Sequence, residues 1–192
     1  SDWCTDIDYI AVETVDGRYA LHWESGGGCT GGGHPYHQLS FGIDSGYVCY
    51  GYKYYMENGD SWALFEVSHT NNNDYGWRVG YHYDGTNVYF AYYSSSGWTD
   101  GSITNANEWH NFYIKGNMNT LKADVWVDGS LEFSAIDPNN PTDFNSVSYI
   151  IPEEAGSDNS YKAAVDDIYV FDCVDPEPTY SIAVSYTHLR AH

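Results

Sequence analysis

The clearest signal in the chain is the alternation between Asn107 and Gly129, NEWHNFYIKGNMNTLKADVWVDG. Over Glu108 to Lys115, Trp109 and Tyr113 fall on one face and Phe112 and Ile114 on the other. Over Leu121 to Asp128, Leu121, Ala123, Val125 and Val127 alternate with Lys122, Asp124, Trp126 and Asp128. A period of two is the mark of a strand with one buried face. Gly116-Asn117-Met118-Asn119 supplies a turn, so the stretch predicts a β-hairpin. Asp128-Gly129 begins another turn.

The same reading extends along the chain. Strands are expected at Asp6 to Val15, Arg18 to Glu24, Gln38 to Ile43, Tyr47 to Met56 and Ser61 to Ser68. Further ones are expected at Tyr75 to Tyr83, Asn87 to Tyr93, Val147 to Ile151 and Tyr161 to Phe171. Asp84-Gly85 is a strong hairpin signal between two of them. Ser25 to His37, rich in glycine, reads as a loop, as do Ser94 to Asn107 and Pro152 to Ser160. No stretch has helical spacing. About ten short strands at regular intervals predict an all-β protein, an antiparallel two-sheet β-sandwich or a barrel.

Composition sharpens this picture. Twenty Tyr, seven Trp, seven Phe and nineteen Gly in 192 residues favour strands and turns over helices. No apolar run approaches the ~20 residues that cross a bilayer, so membrane insertion is not expected. Twenty-seven acidic against seven basic residues give a formal charge of −20, which argues against nucleic acid and anionic membranes as partners. The four cysteines, Cys4, Cys29, Cys49 and Cys173, include no Cys-x-x-Cys pair. An even count in such a chain suggests disulfides and a secreted or cell-surface location; four free thiols is the competing reading.

A Trp-His strand followed by a strand ending Val127-Asp128-Gly129, with Ala164 to Asp172 (AVDDIYVFD) as a closing strand, resembles the laminin-G-like, or concanavalin A-like, jelly-roll domain. The resemblance covers roughly residues 10 to 172, and implies a jelly roll over 1–173. Because first and last strands lie side by side in such folds, it implies Cys4–Cys173 and Cys29–Cys49, one of three connectivities that four cysteines allow. It also implies a structural calcium near the closing strand, where Asp166 and Asp167 are adjacent, with Asp6, Asp8, Glu13 or Asp16 completing the six to eight oxygens the ion takes. Residues 174–183 read as an acidic, Pro-rich linker or the start of a further domain. Residues 184–192, VSYTHLRAH, resemble a tail that library adapters leave on translated metagenomic reads.

The aromatic excess points to glycan recognition. Sugar rings have apolar faces that stack on Tyr and Trp, and hydroxyls that need polar neighbours. Tyr81, Tyr83, Tyr89, Tyr92, Tyr93 and Trp98 lie in or beside one hairpin, with Arg78, His82 and Asn87 as polar partners. Tyr50, Tyr52 and Tyr54 form a second stripe. Core packing is the competing reading for any one of these rings. Cys29, His34, His37 and His22 match no standard zinc spacing. Neither the Glu-x-Asp-x-x-Glu strand of jelly-roll glucanases nor a lyase strand motif is present, so no catalytic residue is expected. The sequence therefore predicts a non-catalytic module binding a glycan or polysaccharide. A structural or adhesive module binding other surface-protein domains is the alternative.

Overall fold

The structure is a computed structural model of the chain. It describes residues 7–26, 44–56, 62–68, 76–142, 144, 149–155, 160–171 and 173. Among these, twelve strands and no helix are found. They are β1 (Ile7–Val15), β2 (Arg18–Gly26), β3 (Tyr47–Met56), β4 (Trp62–Ser68), β5 (Arg78–Tyr83) and β6 (Val88–Ser94). They continue as β7 (Gly97–Thr104), β8 (Trp109–Asn117), β9 (Lys122–Val127), β10 (Ser130–Ile136), β11 (Tyr149–Ala155) and β12 (Ser160–Phe171).

The strands form two antiparallel sheets, of seven strands in the order β1-β2-β12-β3-β8-β9-β10 and of five in the order β11-β4-β5-β6-β7. The expected two-sheet sandwich is therefore present. Among the described residues, inward side chains from both sheets meet in one main core. Val48, Tyr50, Tyr52, Tyr54 and Met56 come from β3, Phe112 and Ile114 from β8, and Ala123, Val125 and Val127 from β9. Val79 and Tyr81 of β5 and Val88 and Phe90 of β6 face them. Trp77, fully buried, packs edge-on against Phe144 with ring centroids 4.8 Å apart. The core mixes aromatic and aliphatic side chains, and two of its hydroxyls bond backbone: Tyr52 donates to the Val79 carbonyl and Tyr81 to the Tyr54 carbonyl, at 3.1 and 2.8 Å. Each of these bonds ties one sheet to the other.

Three sequence expectations change. Ser94 to Asn107 was expected as a loop, yet it holds β7, an edge strand whose alternation is weak because its residues are half-exposed or exposed. β10 was not expected at all. Its pairing with β9 shifts register at Leu131/Phe133 and again at Phe133/Ile136, and each bulge breaks the period of two. Strand β11 continues through Pro152 to Ala155, which a sheet edge permits because proline's missing N–H is not needed there. The expected strand Gln38 to Ile43 and residues from 174 onward lie outside the described residues.

The disulfide expectation is overturned in part. Cys49 is bonded to Cys173, with Cα atoms 5.5 Å apart, so neither Cys4–Cys173 nor Cys29–Cys49 forms. The reason is topological: β12 lies between β2 and β3, and its register, with Phe171 opposite Cys49, brings the chain end to β3. Cys4 and Cys29 lie outside the described residues.

Candidate functional site

Strands β5, β6 and β7 carry the predicted hairpin, and their pleat divides the predicted residues between two faces. Val79, Tyr81, Val88 and Phe90 point inward, with Tyr83 and Tyr92 packed against the same core. Tyr81, only 1% exposed, is thus a core residue, and Tyr83 turns the same way. The second predicted stripe, Tyr50, Tyr52 and Tyr54, is core as well. The remaining predicted residues, Arg78, His82, Tyr89, Tyr93 and Trp98, share the outer face of the five-stranded sheet.

Register orders that outer face into three rows. Arg78 lies opposite Tyr93 and Tyr93 opposite Trp98. Gly80 lies opposite Ala91 and Ala91 opposite Asp100. His82 lies opposite Tyr89 and Tyr89 opposite Ile103. The middle row is low because Gly80 and Ala91 are small, and the rings lean across it. His82 stacks on Trp98 at 4.9 Å with planes 9° apart, although the two sit in different rows. Trp98 meets Tyr93 edge-on at 5.2 Å, and the Arg78 guanidinium sits 5.2 Å from the centroid of Tyr93. His82 Nδ1 lies 2.7 Å from Asp100 Oδ1. At the end of the face, the Tyr89 hydroxyl donates to Asp84 Oδ2 at 3.0 Å, and the Asn87 amide reaches that hydroxyl at 3.3 Å.

The Asp84 carboxylate also accepts from the backbone N–H groups of Asn87 and Thr86, which close the hairpin. These bonds hold its pKa below the usual carboxylate value, with a smaller contribution from Tyr89 and His82. A general acid needs the opposite shift. The face as a whole offers ring surfaces beside fixed donors and acceptors.

The predicted calcium residues behave differently. Adjacent carboxylates on a regular strand would point to opposite faces, but a bulge between Asp166 and Tyr169 and a φ of 51° at Asp167 turn both to one side. Arg18 pairs with Asp166 at 2.8 Å and with Asp167 at 2.9 Å, and Lys53 pairs with Asp167. Two cations thus engage oxygens that the expected calcium would take. Among the described residues no cluster of three or more His, Cys, Asp or Glu is placed to hold a metal. Asp6 and the Asp8 side chain lie outside the described residues.

Sequence reasoning missed a polar cluster at the rim. His110 Nδ1 lies 2.6 Å from Asp128 Oδ2, and its Nε2 lies 3.0 Å from the Thr104 hydroxyl. Asp128 also accepts from the Asn111 N–H and side-chain amide. Burial pushes the Asp128 carboxyl up, but the bonds from Asn111 and His110 outweigh it and hold it below its ordinary value. The His110 ring is wedged edge-on against Phe90 at 4.9 Å, so the cluster pins the ends of β7, β8 and β9 together. The Trp-His and Val-Asp-Gly spacing was its sequence signal.

No family model matches the chain, and no curated protein matches it. Solved structures share its fold. A sialidase superposes with a TM-score of 0.57 over 82% of this chain at 9% identity; the chain spans 16% of that protein's length. The alginate lyase Aly36B, determined as a mutant in complex with alginate trisaccharide, superposes with a TM-score of 0.57 over 88% of this chain and 85% of its own, at 10% identity. The catalytic domain of a glycoside hydrolase family 131 protein from Coprinopsis cinerea gives 0.50 over 83% and 73%, at 11% identity. At these identities the likeness is one of fold, the jelly-roll sandwich.

Proposed function

We propose that this domain recognises a glycan on the outer face of its five-stranded sheet and does not cleave it. The observation that carries the reading is the run of contacts Arg78, Tyr93, Trp98, His82, Asp100. A sugar ring stacks on the Tyr93 and Trp98 surfaces. Asp100 and the Tyr89–Asp84 pair direct its hydroxyls, while Arg78, itself only 6% exposed, backs the Tyr93 ring. Such rings supply about 0.5–1.5 kcal/mol each beyond area burial, which suits a Kd between millimolar and micromolar.

Non-catalytic recognition is supported by the state of the acid–base groups on this face. Asp100 is engaged by His82, and Asp84 is held ionised by its own turn. The polysaccharide-active proteins that share the fold support a polysaccharide ligand. The Trp109 and Val127-Asp128-Gly129 strands, tied through Asn111 and His110, support in our reading a likeness to laminin-G-like sandwiches. The disulfide supports a secreted or surface location.

A glycan array, followed by affinity electrophoresis on the polysaccharide retained, tests the proposal. Tyr93→Ala and Trp98→Ala should each weaken retention about tenfold, and no released reducing ends should accompany binding. Retention unchanged in both variants contradicts the site; release of sugar ends contradicts the non-catalytic part.

A second reading rests on β1, which among the described residues ends the larger sheet, with Val12 and Tyr19 exposed on the β1–β2 hairpin. A free strand edge with apolar side chains pairs with other chains. Light scattering across concentration separates this adhesive module from a monomeric glycan binder.

A further inference from the structure

We infer that the outer face of the seven-stranded sheet carries a second, separate binding strip, shaped for a flat, neutral polysaccharide. Five neighbouring strands contribute one residue each at a common register: Tyr169 on β12, Gly51 on β3, Tyr113 on β8, Trp126 on β9 and Leu131 on β10. Register partners in antiparallel strands project to the same side. That side is opposite the core, because Tyr50, Tyr52, Phe112 and Val125 point inward from the same strands. The row therefore crosses the sheet, and four steps of strand spacing give it a length of about 19 Å.

The row is built from ring surface. Tyr113 and Trp126 touch with centroids 5.2 Å apart. Tyr169 is 37% exposed and Leu131 55%. Gly51 is the position with no side chain, and the Tyr169 ring takes its place: a Cβ built there would overlap the Tyr169 hydroxyl and ring carbons. Glycine at 51 lets that ring lie down over bare backbone towards Tyr113. Strand spacing is close to the length of one pyranose residue in an extended chain, so successive rings can meet successive sugars.

Hydrogen-bonding groups flank the strip on both sides. Lys53 and exposed Asn111 lie one pleat away, and Lys115 and Asp124 lie opposite one another on the other side. Shielding of the disulfide explains Tyr113, whose hydroxyl donates to Cys49 Sγ at 3.2 Å. It does not explain Trp126 and Leu131, which lie on the strands beyond. The formal charge of −20 repels anionic polymers, which leaves neutral chains with exposed ring faces as the ligand class.

Depletion assays on microcrystalline cellulose and on chitin powder test the strip. The wild type should bind at least one of them. Trp126→Ala combined with Tyr169→Ala should weaken that binding at least tenfold while retention on soluble glycans is kept. Leu131→Asp, at an exposed position that folding does not need, should weaken it several-fold without moving the thermal midpoint. Binding of neither powder by the wild type overturns the inference, as does unchanged binding of both variants. Failure of Trp98→Ala to reduce soluble-glycan retention would instead sink the site on the smaller sheet and leave this strip standing.

Discussion

Tyr81 and His82 are neighbours in the chain and end in different solvents. Tyr81 spends its hydroxyl on a backbone carbonyl inside the sandwich, while His82 stacks on Trp98 outside it. Burial pushes the Tyr52 and Tyr81 hydroxyls well above the ordinary tyrosine value, with nearby tyrosines adding to the rise at Tyr52 and Asp128 and Glu108 at Tyr81. A pKa raised by folding contributes stability that is intact below the unfolded value, about 10, and is lost as pH rises through the folded one. Unfolding followed by circular dichroism should therefore coincide with a late step of tyrosinate absorbance above about pH 10; early titration of all tyrosines would contradict it. Tyr81→Phe should cost about 1 kcal/mol in denaturant melts, the worth of one buried hydrogen bond. At this scale the residue types were legible beforehand but not their sides. Tyr and Trp are amphipathic, and strands such as YVCYGYKYYM bear rings on both faces, so periodicity alone left the inner and outer rows of β5 and β6 undivided.

Among the elements, the legible strands were those whose alternation is undisturbed, such as β3, β8 and β9. Strand β10 was hidden because Ala135, at a φ of 55°, bulges to give its N–H to Asp124 Oδ1 at 2.8 Å. The bulge in β12 hid the Asp166–Asp167 arrangement in the same way, since it sends both carboxylates to Arg18 and Lys53. Asp167→Val should lower stability by about 1–3 kcal/mol, because a β-branched residue strains at that φ; Asp167→Gly relieves the backbone but still loses both ion pairs. Melts that rank valine as the better tolerated would contradict this account. Gly116 on β8 sits under Trp77, and a Cβ there would overlap its six-membered ring. Gly116→Ala should therefore destabilise by about 1–3 kcal/mol through overpacking.

Across the whole molecule, two sheets are stapled by buried hydroxyls, and at one side by Glu132 of β10 accepting from Ser102 of β7. The bridge between Cys49 and Cys173 closes 124 residues of sequence separation onto β3. Replacing both cysteines by serine should cost about 4–5 kcal/mol on the chain-entropy account, and a non-reducing peptide map should recover the two as one linked fragment. The layered fold was legible from strand spacing; this pairing was not, because it depends on which strands flank β12. The central claim is that aromatic side chains divide between a closed core and an open glycan face. The most direct measurement is a titration of labelled protein with an oligosaccharide of the retained glycan, followed by the indole N–H signals. The account predicts that the Trp98 signal shifts and saturates while that of buried Trp77 stays fixed. A Trp98 signal that does not move at saturating ligand would contradict it.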